Sequence, residues 1–329
     1  MNKKANSYTW YLFSAFLSIN TTTTIYAQST NYPNKVVRIV NPVAAGGNQE
    51  MVARIYAEQF SKAFGQQFIV ESRPGNSGIV GTRHVKNALA DGYTLLAISN
   101  TFARTPVMIK DTGYDPIKDF NAISMTCDVP LVFVINPSLP AYNVKEFIKL
   151  AKQRPGEISS GSSGKGSTGH IAAELFAKQS GIRLLHIQYK GAAPAIIDLI
   201  GGHVMLRFDQ ISSSITHIKA NKIRAIGVTS KKRSALIPNV PTIDESGLPR
   251  FEDTTFNGLM APIGTPKFII EKLHNEIIRT SSINDLRNKY LDIGIELISS
   301  HSPEEFSNFI KKHVEEFNKL ANAIGIIEK

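Results

Sequence analysis

The run Gly161-Ser162-Ser163-Gly164-Lys165-Gly166-Ser167-Thr168-Gly169-His170 gathers glycines, hydroxyls, a lysine and a histidine, and leads directly into a helical pattern over 171–179. A flexible loop that feeds a helix start concentrates free backbone N–H groups at the positive end of a helix dipole, which suits an anion. A nucleotide phosphate does not fit. A P-loop needs G-x-x-x-x-G-K-[S/T], whereas Lys165 stands between two glycines with no magnesium-binding hydroxyl after it. A second loop of the same kind is Asn41-Pro42-Val43-Ala44-Ala45-Gly46-Gly47-Asn48, again just before a helical pattern. Its small residues let a ligand approach the backbone closely.

Catalytic constellations are weaker. Ser163, His170 and Asp209 supply the residue types of a hydrolase triad, but no G-x-S-x-G elbow is present. His170 reads as an early-helix residue that hydrogen-bonds the loop or a ligand. Asp209 follows an apolar strand, where it is placed to bind an ammonium or hydroxyl group or to cap the next helix. Lys190-Gly191 closes another strand, and Lys190 reads either as a cation for a carboxylate or as a solvated lysine. The eight histidines are scattered without H-x-x-x-H or C-x-x-C spacing, so no metal and no cofactor is expected. Cys127 is the only cysteine, which rules out an intramolecular disulfide and suggests a buried, inert thiol.

These loops need elements to hold them. Strand-like runs over 36–40, 68–70 and 94–98 alternate with helical patterns over 49–64 and 79–89, a βαβαβ order that implies a parallel sheet covered on both faces. Residues 122–136 form a long apolar extended stretch. A second alternating series follows, with strands over 158–161, 184–189, 204–208 and 224–229 and helices over 144–152, 171–179, 193–200 and 212–220. A strand over 255–261 and amphipathic helices over 266–280 and 303–323 close the chain. In open parallel sheets ligands sit beyond the carboxyl ends of strands. That rule selects the loops 42–48, 99–101, 161–170 and 208–212.

The chain has 329 residues and a formal charge of +10. Lys3 and Lys4, a brief apolar core and Ala27 read as an export signal cleaved after about Ala27. The basic residues are scattered, with no stripe of interleaved aromatics, so nucleic acid is not an expected partner.

An ordered set of motifs carries a resemblance. It comprises Pro42-Val43-Ala44-Ala45-Gly46-Gly47, Glu71-Ser72-Arg73-Pro74-Gly75, Asp91-Gly92-Tyr93-Thr94-Leu95-Leu96, Tyr114-Asp115-Pro116, Tyr189-Lys190-Gly191, Asp198-Leu199-Ile200-Gly201-Gly202 and Glu245-Ser246-Gly247-Leu248-Pro249. The chain resembles the Bug-type (Bordetella uptake gene) extracytoplasmic solute-binding proteins of tripartite tricarboxylate transporters. The resemblance implies an α/β, two-lobed periplasmic binding fold of type II-like form, each lobe a mostly parallel sheet flanked by helices, with the ligand cleft between. It implies a signal over 1–27, lobe 1 over 28–127 and 255–329, lobe 2 over 128–254, and hinge crossings near 122–136 and 224–230.

It further implies a monomeric, non-catalytic periplasmic protein that closes on a small carboxylate: a di- or tricarboxylate, an acidic amino acid or an aromatic acid. The partners implied are membrane permease subunits or, alternatively, a periplasmic sensor kinase; an exported hydrolase using Ser163 or Ser167 is the third reading. The ligand residues carried over are Ala45, Gly46, Gly47, Asn48, Ser99, Asn100, Thr101, Ser163, Gly164, Gly166, Ser167, Thr168, His170 and Asp209; Val43, Lys190, Gly191 and Gln210, beside these loops, join them as candidate ligand residues. The chain departs from the family pattern at Val43, usually aromatic, at Asn48, usually Ser or Thr, at Gln210, usually Asn, and at Arg104, often neutral. Arg104 reads either as an extra bidentate contact to a carboxylate or as a solvent-facing residue.

Overall fold

The computed structural model describes residues 31–327; the expected export signal lies outside them. The first series is β1 (Val37–Asn41), α1 (Asn48–Phe64), β2 (Phe68–Ser72), α2 (Ile79–Lys86), β3 (Thr94–Ser99) and α3 (Asn100–Met108). β4 (Phe120–Ile135) follows. The second series is α4 (Val144–Gln153), β5 (Ser159–Ser162), α5 (Thr168–Ser180), β6 (Leu185–Gln188), α6 (Ala192–Gly201), β7 (Leu206–Gln210), α7 (Ile211–Lys219) and β8 (Arg224–Val228). The chain ends with β9 (Thr254–Pro262), α8 (Lys267–Ser281), α9 (Asn284–Leu291), β10 (Glu296–Leu297) and α10 (Pro303–Ile324).

The strands run in the order β2-β1-β3-β9-β4-β7-β5-β6, with β8 and β10 also on β4. β4 is the seam. Its residues up to Pro130 pair antiparallel with β9, and from Leu131 onward it pairs with β7 and β8. Pro130 cannot donate to a ladder, and it lies where one set of partners gives way to the next. The mixed α/β fold is therefore two-lobed, with parallel pairs β1–β2, β1–β3, β5–β6 and β5–β7 on either side of antiparallel strands. β8 lies within the second half; the chain returns to the first half as it enters β9 at Thr254.

Each half has its own aromatic core. In the second, Phe133 of β4 stacks on Phe208 of β7 with centroids 4.5 Å apart, among Phe147, Phe176 and Phe251. In the first, Phe102, Phe120, Phe256 and Phe306 pack with Val40, Leu96 and Ile98. α10 lies on β4 and α3. Each fully buried Phe contributes about 1.5–3 kcal/mol.

α3 and α9 are not apparent from periodicity. α3 contains Pro106, and α9 buries none of its residues, so it shows no apolar stripe. Among the described residues no helix is long and apolar enough to cross a membrane.

Candidate functional site

Five helices start around one cavity between the halves. Their N-cap residues are Gly47 for α1, Ser99 for α3, Ser167 for α5, Gly191 for α6 and Gln210 for α7. Only Ser167 caps its own helix through its side chain, accepting from the His170 N–H; the other four N-caps make no side-chain cap. Their first-turn N–H groups thus have no capping side chain, and each helix end adds a partial positive charge.

The cavity is small, about 30 Å3, and is lined by Val43, Gly47, Asn48, Gln49, Ser99, Thr101, Ser163, Ser167, Thr168, Ala192, Gln210 and Asn257. Among the described residues no charged side chain lines it. Its chemistry is amide, hydroxyl and helix end.

The lobes are closed on each other. The Ala44 N–H donates to Lys190 O at 2.9 Å, and Ser212 Oγ donates to Asn48 Oδ1 at 2.7 Å. Gln188 Nε2 donates to Ser77 Oγ at 3.3 Å. Glycine is required where the halves meet. A Cβ on Gly191 would stand 2.9 Å from Ala44 N, and one on Gly46, at φ +88°, would lie 3.0 Å from Ala193 Cβ.

Of the residues singled out in the sequence, Val43, Gly47, Asn48, Ser99, Thr101, Ser163, Ser167, Thr168 and Gln210 meet at this cavity. Ala45 and Gly46 are exposed on the rim, and Gly46 N–H donates to Glu50 Oε2 at 2.6 Å. Asn100 turns to β9: its Nδ2 donates to Thr254 O and its Oδ1 accepts from the Phe256 N–H, both at 3.0 Å. Gly164 and Gly166 shape the loop at φ +144° and +78°. Lys190 is exposed and contributes its carbonyl rather than its ammonium; Gly191 caps α6.

Three expectations are corrected. Asp209 is buried and committed, with Arg207 Nη2 donating to it at 2.7 Å and Ser214 Oγ at 2.8 Å, so it anchors α7 rather than facing the cavity. Arg104 is buried away from the cavity, donating to His313 Nε2 and Asp253 Oδ1 at 3.2 Å each. The Ser163–His170–Asp209 triad is not assembled, because Asp209 is occupied by Arg207 and His170 serves its own loop. The Gly166 N–H donates to His170 Nδ1 at 3.2 Å, and His170 stacks on His186 with centroids 4.0 Å apart. Burial, with lesser contributions from His186 and Lys165, brings the His170 pKa down to about 3, so the ring is neutral and can accept that bond.

Gln49, Ala192 and Asn257 also line the cavity and were not singled out. Asn257 had a signal: it is an amide in the middle of a strand that is apolar apart from its two leading threonines. Its Oδ1 accepts from Asn48 Nδ2 at 2.8 Å and from the Cys127 thiol at 3.3 Å, and its Nδ2 donates to Ile98 O. Cys127 is buried, and burial pushes its pKa up, leaving an inert thiol.

Two α/β lobes closing over a cavity ringed by helix N-termini are the architecture of a solute-binding protein of the periplasmic type. The solved structures agree. This chain is 32% identical to an R. palustris protein with adipate, at a TM-score of 0.87 and covering 89% of this chain and 98% of that one. It is 33% identical to the periplasmic binding protein BugD, TM-score 0.87, covering 91% and 100%. It is 25% identical to MatC from Rhodopseudomonas palustris with bound malate, TM-score 0.83, covering 88% and 99%. Residues 52–326 match the model of the tripartite tricarboxylate transporter family receptor, and the chain belongs to that family as a Bug-type member.

Proposed function

We propose that this protein captures a small carboxylate by lobe closure and delivers it to the membrane permease subunits of a tripartite tricarboxylate transporter. The observation that carries the reading is the convergence of five helix N-termini, four lacking a side-chain cap, on a cavity with neutral polar walls. Such a site attracts anions without pairing them to a fixed cation. The similar structures with adipate and malate point to the dicarboxylate class. The ligand contacts are the cavity residues, led by Ser99, Thr101, Ser163, Ser167 and Thr168, with Asn48 holding the two lobes together beside them.

Each hydrogen bond to a charged ligand contributes about 1.5–3 kcal/mol, and each helix end about 0.3–1 kcal/mol. A few of each suffice for micromolar binding, about 8 kcal/mol. The small volume of the closed cavity means that a dicarboxylate enters an opened form. Lobe 1 then spans 28–127 and 255–329 and lobe 2 spans 128–254. The bend falls on β4 near Pro130 and on the segment that enters β9 at Thr254. Residues 1–27 serve export to the periplasm.

A thermal-shift series of succinate, malate and adipate against their diamides tests the ligand class. At least one acid should raise the melting temperature saturably while its diamide does not. Diamides as effective as acids, or no acid binding at all, would overturn it. Affinity capture of the loaded protein should retain the permease; recovery of a periplasmic sensor domain in its place would redirect the partner assignment.

A further inference from the structure

A second cavity lies behind the first, between α3, α10 and the strands that join the two halves. It encloses about 360 Å3, and its wall includes Arg104, Asp128, Asp253, Phe256, Phe309 and His313. That volume is within the range of small-molecule pockets, about 300–1,000 Å3.

The charges in this wall are incompletely matched. Arg104 lies over the Phe317 ring at 5.2 Å and donates through Nε to His313 and through Nη2 to Asp253, but its Nη1 has no hydrogen-bond partner, although the side chain is only 6% exposed. Asp253, with its side chain 10% exposed, leaves Oδ2 unpartnered, and Asp128 leaves Oδ1 unpartnered. Native proteins seldom leave such groups unmet, because an unsatisfied buried polar atom costs stability. Burial raises the carboxyl pKa of both Asp128 and Asp253, which is how acids lacking a sufficient cation behave. His313, brought down to about 3 by burial and by Arg104, supplies no charge. Glu252 at the rim is met by Lys231 at 3.3 Å. Asp253 already has Arg104 as its cation; what stays unmet is a cation for Asp128, a partner for the second oxygen of Asp253 and an acceptor for one guanidinium N–H. Phe256 and Phe309, edge to face at 4.9 Å, give the wall an apolar and π-bearing side, suited to a hydrocarbon chain and to an ammonium group.

We infer that this cavity is a second ligand site, separate from the carboxylate cleft, which takes a small apolar amino-acid zwitterion. Its ammonium faces Asp128 and Asp253, its carboxylate faces Arg104, and its side chain lies on Phe256 and Phe309.

Calorimetry on the whole protein tests this with a matched set of probes: leucine, 3-methylbutylamine, which lacks the carboxylate, and 4-methylpentanoate, which lacks the ammonium. Leucine should bind saturably and at least tenfold more tightly than either analogue. Asp128→Asn and Asp253→Asn should each weaken leucine at least tenfold, whereas Thr101→Ala and Ser167→Ala in the front cavity should leave it unchanged. If Asp253→Asn fails to fold, Asp128→Asn decides alone. Absence of saturable leucine binding, equal binding of 4-methylpentanoate, or loss in the front-cavity variants instead would overturn the inference.

Discussion

Ser212 Oγ donates to Asn48 Oδ1 at 2.7 Å, joining the first turn of α7 in one lobe to the first residue of α1 in the other. The same asparagine donates from Nδ2 to Asn257 Oδ1 at 2.8 Å. One amide thus ties the opposite lobe to the cavity floor with both of its polar atoms used.

Asn48→Ala should loosen closure. It removes both bonds and leaves the buried Ser212 and Asn257 groups less well met, at about 1–3 kcal/mol each. Affinity for the acid that stabilises the wild type should fall on the order of tenfold, about 1.4 kcal/mol, by calorimetry. Unchanged affinity would mean that the amide is not part of the latch.

Gly46→Val should act on the same interface from its rim. The backbone there is left-handed, and the new side chain meets Ala193 across the cleft. The expected outcome is weaker acid binding with cooperative urea unfolding retained. A variant that binds normally would show that the rim does not limit closure.

The start of α5 is constrained from below. A Cβ on Gly169 would lie 2.3 Å from Phe208 O, a backbone atom with no room to yield. Gly169→Ala should therefore cost about 3 kcal/mol, the upper part of the usual overpacking range. Urea midpoints at equal slope would measure it, and a loss below the error of the midpoint would contradict the close contact.

Stability should fall in acid. Burial depresses the folded His170 pKa from the ordinary histidine value of 6.5 to about 3, so the unfolded chain binds a proton first as pH falls. The stability tied to the neutral ring is fully present above pH 6.5 and is lost between there and about pH 3. The slope is about 1.4 kcal/mol per pH unit for one such group. His170→Asn, which keeps an acceptor for the Gly166 N–H, should flatten that part of the profile in denaturant titrations at pH 7, 6 and 5. A variant as acid-sensitive as the wild type would assign the loss to other groups.

Much of the front cavity was legible because its parts are local. A glycine-rich turn followed by a helical pattern locates a free helix end, and four strand-end loops brought Asn48, Ser99, Ser167 and Gln210 to one place. What could not be read depended on partners far along the chain. Arg104 meets Asp253, 149 residues away, so its burial left no sequence trace. Asp209 is different. Arg207 stands two residues earlier on β7, and residues so spaced share a strand face; the neutralising partner was present in the sequence but overlooked. α9 was missed because a wholly surface helix has no apolar stripe to announce it.

The absence of charged groups from the front cavity wall has a consequence for traffic across the membrane. An acid held there by dipoles displaces no side-chain proton and breaks no ion pair, so loading is accompanied by no compensating ionisation. The loaded protein would differ from the unloaded one by the full charge of its cargo, and unloading would release an anion rather than a neutral acid. On the proposed function, inward movement of that anion against an interior-negative potential would need an energy source outside the binding protein, since no side chain of the cavity wall supplies a counter-charge.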